Sequence, residues 1–191
     1  MREASEIASA TPDRWDDVQK VFEGKGGQGR CWCAYWYSSA KDCKANWGPG
    51  NRQVLEDRVL GGAEPGVLAY VEGVPAGWAG IAPRSAFDRL VRNKKTLAAV
   101  DDRPVWSLNC LVVHREFRKQ GLMRRLINGA VAFALAKGAI AVESYPVETP
   151  AKKTPWDLYL GTKHAYEDCG FVEVAKRGPR QLIMRYWPQS Q

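Results

Sequence analysis

Two stretches of the sequence carry residues whose types and spacing could do chemistry. Residues 29–37 read "GRCWCAYWY", a Cys-x-Cys pair set among four aromatic rings. Such a pair can be half a metal site, a redox couple or the lining of an apolar pocket. A closed zinc site needs about four ligands, and Cys31 and Cys33 supply two. Cys43, Cys110 and Cys169 stand singly, and both histidines lie far along the chain, so no metal is expected. A disulfide across one residue would be strained. Redox reactivity needs a lowered thiol pKa, for which Arg30 is the only adjacent cation. The cysteines therefore read as small apolar fillers between large rings. The second stretch is "RKQGLM", Arg118 to Met123, between the apolar run "VWSLNCLVVH" and a helical pattern. A loop entering a helix there can aim several backbone N–H groups at one point, with the helix dipole behind them. Arg115, Arg118, Lys119, Arg124 and Arg125 surround it. That combination suits a pyrophosphate. It also suits an ordinary strand-to-helix turn that needs Gly121 for its backbone angles. The Walker-type and dinucleotide-type glycine loops are both absent.

The elements that must position these residues follow from periodicity. "SEIASATPDRWDDVQKVF" predicts a short strand, then a helix capped by Thr11, with Pro12 at its first position and Trp15, Val18 and Phe22 on one face. "GKGGQGR" breaks that pattern. "NRQVLEDRVLGG" predicts a second helix with Val54, Leu55, Val59 and Leu60 inward and Gly61 as its stop. "PGVLAYVEGVPAGWAGIAP" predicts a hairpin about Glu72-Gly73. Val105 to His114 shows little alternation, as for a central strand buried on both faces. From Gly121, Leu122, Met123, Leu126, Ile127, Ala130, Val131, Ala134 and Leu135 mark a helix with a wide apolar face, closed by Gly138. A strand in "AIAVESYPV", a short helix capped by Thr162, and a hairpin about Gly178-Pro179 complete the order. The expectation is an α/β (α+β) fold, a mixed sheet with helices packed on it.

Composition sets the outer limits. A chain of 191 residues defaults to one domain, residues 1–191, and 45% hydrophobic residues suffice for a core. No run approaches the ~18 apolar residues of a membrane helix. The first residues lack the apolar core of a signal peptide, and five cysteines do not suggest a disulfide framework, so a cytoplasmic location without membrane association is the default expectation. The net charge of +7 reads first as a solvated basic surface and second as a partner for an anion. No nucleic-acid-binding motif accompanies it, so nucleic acid is not expected as a partner.

The loop and two neighbouring segments resemble the GNAT superfamily of acetyl-CoA-dependent N-acetyltransferases. That family's acetyl-CoA loop has Gln or Arg, two residues, Gly, one residue, then Gly or Ala; here it reads Arg118-Lys119-Gln120-Gly121-Leu122-Met123, with Met123 a departure. "LVVHREF" is similar to the end of the family's fourth strand, and "HAYEDCGF" to its late helix-to-strand segment. The element order matches over roughly residues 3–187. The resemblance implies a mostly antiparallel twisted sheet of six to seven strands, with a splayed central pair. It implies an acetyl-CoA core about residues 104–187 and acceptor-side helices about residues 11–62. Leu111, Val112 and Val113 would hold the pantetheine arm, and amides from Arg118 to Met123 (Arg118, Lys119, Gln120, Gly121, Leu122 and Met123), with Arg124 beside them, the pyrophosphate. Tyr166 would protonate the leaving thiolate. The implied reaction is direct acetyl transfer to an amine of a small molecule or peptide. The alternative is an acyl-CoA sensor or subunit without chemistry. The expected fourth-strand carboxylate is missing. Glu143 on the next strand, or a water chain, is the candidate base, its alternative role being a salt bridge to an arginine. Trp32, Tyr35, Trp36, Tyr145, Trp156 and Tyr159 are candidates for an acceptor pocket that takes a flat or cationic substrate; the same rings could instead form a small core over the sheet. A homodimer is left open.

Overall fold

The computed structural model describes residues 6–25, 29–148 and 159–188. Seven strands form one sheet in the order β1-β2-β3-β4-β5-β7-β6: β1 Glu6–Ser9, β2 Gly66–Val71, β3 Val74–Pro83, β4 Trp106–Val113, β5 Val142–Ser144, β6 Val172–Arg177 and β7 Gln181–Tyr186. Every pairing is antiparallel except β4 with β5. The β2–β3 turn places Glu72 at φ 52° and Gly73 at φ 74°, the two left-handed positions that match a hairpin to the twist of its strands. This is the mixed, mostly antiparallel sheet flanked by helices that the sequence leads one to expect.

Helices cover both faces. On one lie α1 Trp15–Glu23, α2 Ala34–Tyr37, α3 Ala40–Ala45, α4 Pro49–Leu60 and α5 Asp88–Arg92. Their core joins Val18, Phe22, Trp32, Leu55 and Val59 to Trp78, Cys110 and Val112 of the sheet. On the other lies α6 Leu122–Ala136, with α7 Lys163–Glu167 beside it. There Leu126, Ile127, Ala130 and Ala134 meet Ala79, Ile81, Leu108 and Leu111. Covered on both faces, β4 reads as an almost unbroken apolar run. Among the described residues, no helix is long and apolar enough to cross a membrane.

Three local expectations change. A 3₁₀ turn, Pro12–Arg14, precedes α1, and the Thr11 hydroxyl accepts from Arg14 Nη1 at 2.7 Å instead of capping the helix. Leu60, expected inward, is 51% exposed, because α4 ends there and only Leu55 and Val59 of its apolar positions are fully covered. The aromatic stretch is neither a strand nor one helix. Trp32 and Cys33 take left-handed φ values of 50° and 57°, and α2 starts after them.

Where α6 crosses β1, the helix carries Gly129. A Cβ there would sit 2.6 Å from Ile7 Cγ2 and 3.1 Å from Ile7 Cβ. The glycine costs the helix about 1 kcal/mol relative to alanine, which the close approach offsets. Gly129→Val should overpack this contact and destabilise the fold by about 1–3 kcal/mol in thermal denaturation; an unchanged midpoint would mean that β1 does not depend on α6.

Candidate active site

The site begins where two strands stop pairing. β5 is bonded to β4 only at Trp106↔Val142, Ser107↔Glu143 and Leu108↔Ser144. Beyond Ser144 the strands part, while β4 runs on to Val113. On its other edge β4 remains paired with β3, where the His114 amide donates to the Ala76 carbonyl at 2.8 Å and Gly77 faces Val113. In an antiparallel ladder the bonded positions alternate. Val112 and His114 therefore turn their backbone polar groups to β3, and Leu111 and Val113 turn theirs into the opening. The Arg118 side chain donates from Nε to the Val113 carbonyl at 3.0 Å, tying the following loop to the strand end. Of the three residues expected along the pantetheine arm, Leu111 and Val113 present their backbone to the slot and Val112 does not.

The loop then turns into α6. Lys119 at φ 61° and Gly121 at φ 78° put left-handed residues at alternate positions, a backbone pattern that can gather neighbouring amides into a concavity. The first amides of a helix have no acceptor within it, and the first turn of α6 contains no acid. Leu122 is buried and Met123 packs against the core beneath α6, so the side chain that departs from the expected pattern leaves its amide facing the loop. Arg124 pairs with Asp168 at 3.3 Å. Gln120 donates from Nε2 to the Glu116 carbonyl at 2.9 Å, bracing the loop from within.

Tyr166 comes to the same opening from α7, which Thr162 caps by accepting from the Ala165 amide at 3.2 Å. The ring is fully buried, with its edge at Gly161 beside Leu111 and Phe171 packed against it at 5.1 Å. Its hydroxyl lies near Ser144 and Cys110, and burial holds the phenol well above its ordinary pKa. Neither Tyr166 Oη nor Ser144 Oγ has a hydrogen-bond partner in bonding geometry among the described residues, and the same holds for Asn109 Nδ2. Unsatisfied buried polar atoms are costly and uncommon. Three of them gathered where β4 and β5 diverge point to groups that a bound molecule would complete.

On the opposite face of β4 lies a cavity of about 440 Å³. Its floor is Cys33, Asn109, Cys110 and Tyr145, and its walls include Cys31, Trp36, Cys43 and Tyr159. A bulge explains how two consecutive residues of β4 both face it. Gly80 pairs with Cys110 and Ile81 with Leu108, leaving Asn109 as the extra residue. Tyr35, Trp36 and Tyr145 line this cavity as the sequence suggested. Trp32 does not. It is buried in the core, stacked on Phe22 at 5.0 Å, with its indole N–H bonded to the Gly29 carbonyl. Trp156 lies outside the described residues. The sequence did not single out Asn109, Cys43, Lys44, Trp47 or Leu97 for this cavity, because their convergence needs the tertiary fold.

Glu143 is anchored rather than free. Its Oε1 accepts from Arg185 Nε and Nη2, the residue opposite it on β7, and its Oε2 accepts from Tyr145 Oη at 3.0 Å. Arg185 also grips Asp101, and the Tyr145 hydroxyl meets Ser107 Oγ at 2.8 Å. Both carboxylate oxygens are occupied, one by Arg185 and the other by the Tyr145 hydroxyl, whose residue lies on the cavity floor: the salt bridge to an arginine that the sequence left open.

With the geometry in place, comparison with known proteins decides the family. The model of the acetyltransferase (GNAT) family matches residues 32–171. The chain belongs to this family. It is therefore a GNAT acetyltransferase, and the fold agrees. An acetyltransferase of the GNAT family from Streptococcus agalactiae is 15% identical with a TM-score of 0.58, over 100% of this chain and 99% of that one. A histone acetyltransferase and related acetyltransferase from Corynebacterium glutamicum is 20% identical with a TM-score of 0.58, over 99% of each chain. The PaiA N-acetyltransferase from Thermoplasma acidophilum, solved with coenzyme A, is 13% identical with a TM-score of 0.56, over 97% of this chain and 100% of that one. At these identities the likeness is one of fold. Among curated proteins, none matches the chain.

Two outcomes test the assignment of individual groups. Glu143→Gln leaves Arg185 buried with a weakened partner, so it should cost roughly 3–5 kcal/mol of stability. A base would instead show lost turnover at an unchanged melting temperature. The Cys31 thiol is pushed up to about 12 by burial. At pH 8 it is then about one part in 10⁴ thiolate, against roughly a quarter for an unperturbed thiol, and iodoacetamide should label it correspondingly slowly in the native protein.

Proposed function

We propose that this acetyltransferase transfers the acetyl group of acetyl-CoA directly to an amine of a small molecule or peptide, with Tyr166 serving the departing thiolate. The observation that carries the reading is the buried Tyr166 hydroxyl, which lies near Ser144 at the end of β5 and makes no hydrogen bond in good geometry among the described residues. The residues fit acetyl-CoA. Leu111 and Val113 offer backbone groups to an extended pantetheine arm, which would lie in the slot as an added strand. The amides about Gly121 to Met123, backed by the α6 dipole and flanked by Arg118 and Lys119, suit its pyrophosphate.

The chemistry follows from this placement. The acceptor's neutral amine enters from the aromatic cavity and attacks the acetyl carbonyl at the level of Asn109 and Cys110. A C–N bond forms, the C–S bond breaks, and the amine's proton is lost as the thiolate gains one. Donors aimed at developing charge in a desolvated site are worth more than in water. Tyr166 keeps its proton across the working pH range, so it can always donate. Glu143 contributes by holding Tyr145 at the apex of the slot, a positioning role.

Acetyl-CoA at a hundredfold excess over Kd should add about 2.7 kcal/mol of stability, a rise of several degrees at roughly 2–4 °C per kcal/mol for a chain of this size. Tyr166→Phe should keep that shift while lowering kcat about 10²-fold or more, the usual worth of a positioned acid. Full activity in the phenylalanine variant would remove Tyr166 from the chemistry.

A further inference from the structure

The acceptor cavity has an electrical character that narrows its substrate. Its described lining contains five aromatic residues, Tyr35, Trp36, Trp47, Tyr145 and Tyr159, and four thiols, but no Asp or Glu. Flat walls of this kind suit an aromatic ring, and they would also suit a cation. Burial separates the two ends. Asn109, 2% exposed, lies on the floor, whereas Tyr35 and Trp47, 41% and 38% exposed, frame the mouth with exposed Lys44. Lys44 has no ion pair among the described residues. The mouth carries a second positive charge, since the Arg89 guanidinium lies 3.7 Å from the centre of the Tyr35 ring and bonds the Ser38 carbonyl. The nearest acid on α3, Asp42, is held by the Ser39 hydroxyl at 2.6 Å and does not line the cavity.

The geometry points to an aromatic primary amine that carries an anionic group at the end remote from the amine. The amine would reach Asn109 and Cys110 on the floor, the ring would lie between the aromatic walls, and the anion would meet Lys44 at the mouth. A polyamine or a multiply cationic sugar would put its second positive charge against Lys44 and Arg89, with no carboxylate in the described lining to receive it. The inference rests on the acetyl-transfer reading above and specifies its acceptor.

The test measures thiol release from acetyl-CoA with three matched acceptors: 4-(aminomethyl)benzoate, benzylamine and spermidine. For the native chain kcat/KM should rank in that order, with the carboxylate worth about three- to fivefold over benzylamine, as expected for a partly exposed ion pair. Lys44→Ala should bring that ratio toward one, with Arg89 retaining part of it, and Lys44→Glu should lower it further; Lys44 is exposed, so both variants should fold. A preference for spermidine, or a carboxylate preference untouched by both variants, would overturn the proposal. Absence of turnover on all three acceptors, with acetyl-CoA still raising the melting temperature, would overturn the acceptor class and leave acetyl-CoA binding standing. Loss of that thermal shift in the native chain would overturn the underlying reading itself.

Discussion

The buried ion pair between Glu143 and Arg185 is the interaction on which the rest of the site depends. The two residues are cross-strand neighbours on β5 and β7, and both are almost wholly removed from water. Desolvating two charges is tolerable only when their remaining bonds are satisfied, and here they are. Asp101 takes the outer edge of the guanidinium, and Tyr145 takes the second carboxylate oxygen. Tyr145 in turn meets Ser107 on β4. The network thus stitches β7 to β5 and β5 to β4 at the level of Ser107↔Glu143. It fixes the point from which β4 and β5 diverge, and the slot cannot move without breaking charged bonds.

Divergence has a cost that the fold leaves open. Leu111 and Val113 lose their sheet partners on one side, and Tyr166, Ser144 and Asn109 keep buried polar atoms without partners among the described residues. A packed domain normally removes such groups or pairs them. On the proposed reading, a molecule with an extended amide-containing arm and a pyrophosphate head would offer partners to groups of this kind.

What the sequence disclosed depends on how far apart the interacting residues lie. The α6 face, the Glu72-Gly73 hairpin and the Thr162 cap are local patterns, decided within one or two turns of chain, and they were legible. So was the loop from Arg118 to Met123, because its cations and Gly121 stand together. The cavity was only half legible. Tyr35 and Trp36 announced an aromatic wall, but Trp32, flanked on both sides by lining cysteines, turns into the core, where Trp32 and Cys33 are consecutive left-handed residues. Asn109 reaches the cavity through a bulge set by pairing with β3, more than twenty residues away, which no reading of β4 alone contains. Glu143 was visible as an acid in an apolar strand, but the identity of its partner, Arg185, is a matter of register.

The bulge at Asn109 also sets how β4 presents its two faces. A regular strand would send Asn109 and Cys110 to opposite faces. The extra residue lets both face the neutral aromatic cavity, while Leu108 and Leu111 still pack beneath α6 on the other side. The basic loop and helix dipole are thereby confined to one end of β4 and the uncharged floor to its middle. On the proposed reading, anionic groups would meet the loop and the cavity mouth, and the amine would lie between them, where the described lining has no Asp or Glu. An amine must be neutral to attack, and burial without a carboxylate disfavours its protonated form. β4 carries no carboxylate, and on the proposed reading desolvation of the amine would do part of the work that a carboxylate would otherwise do.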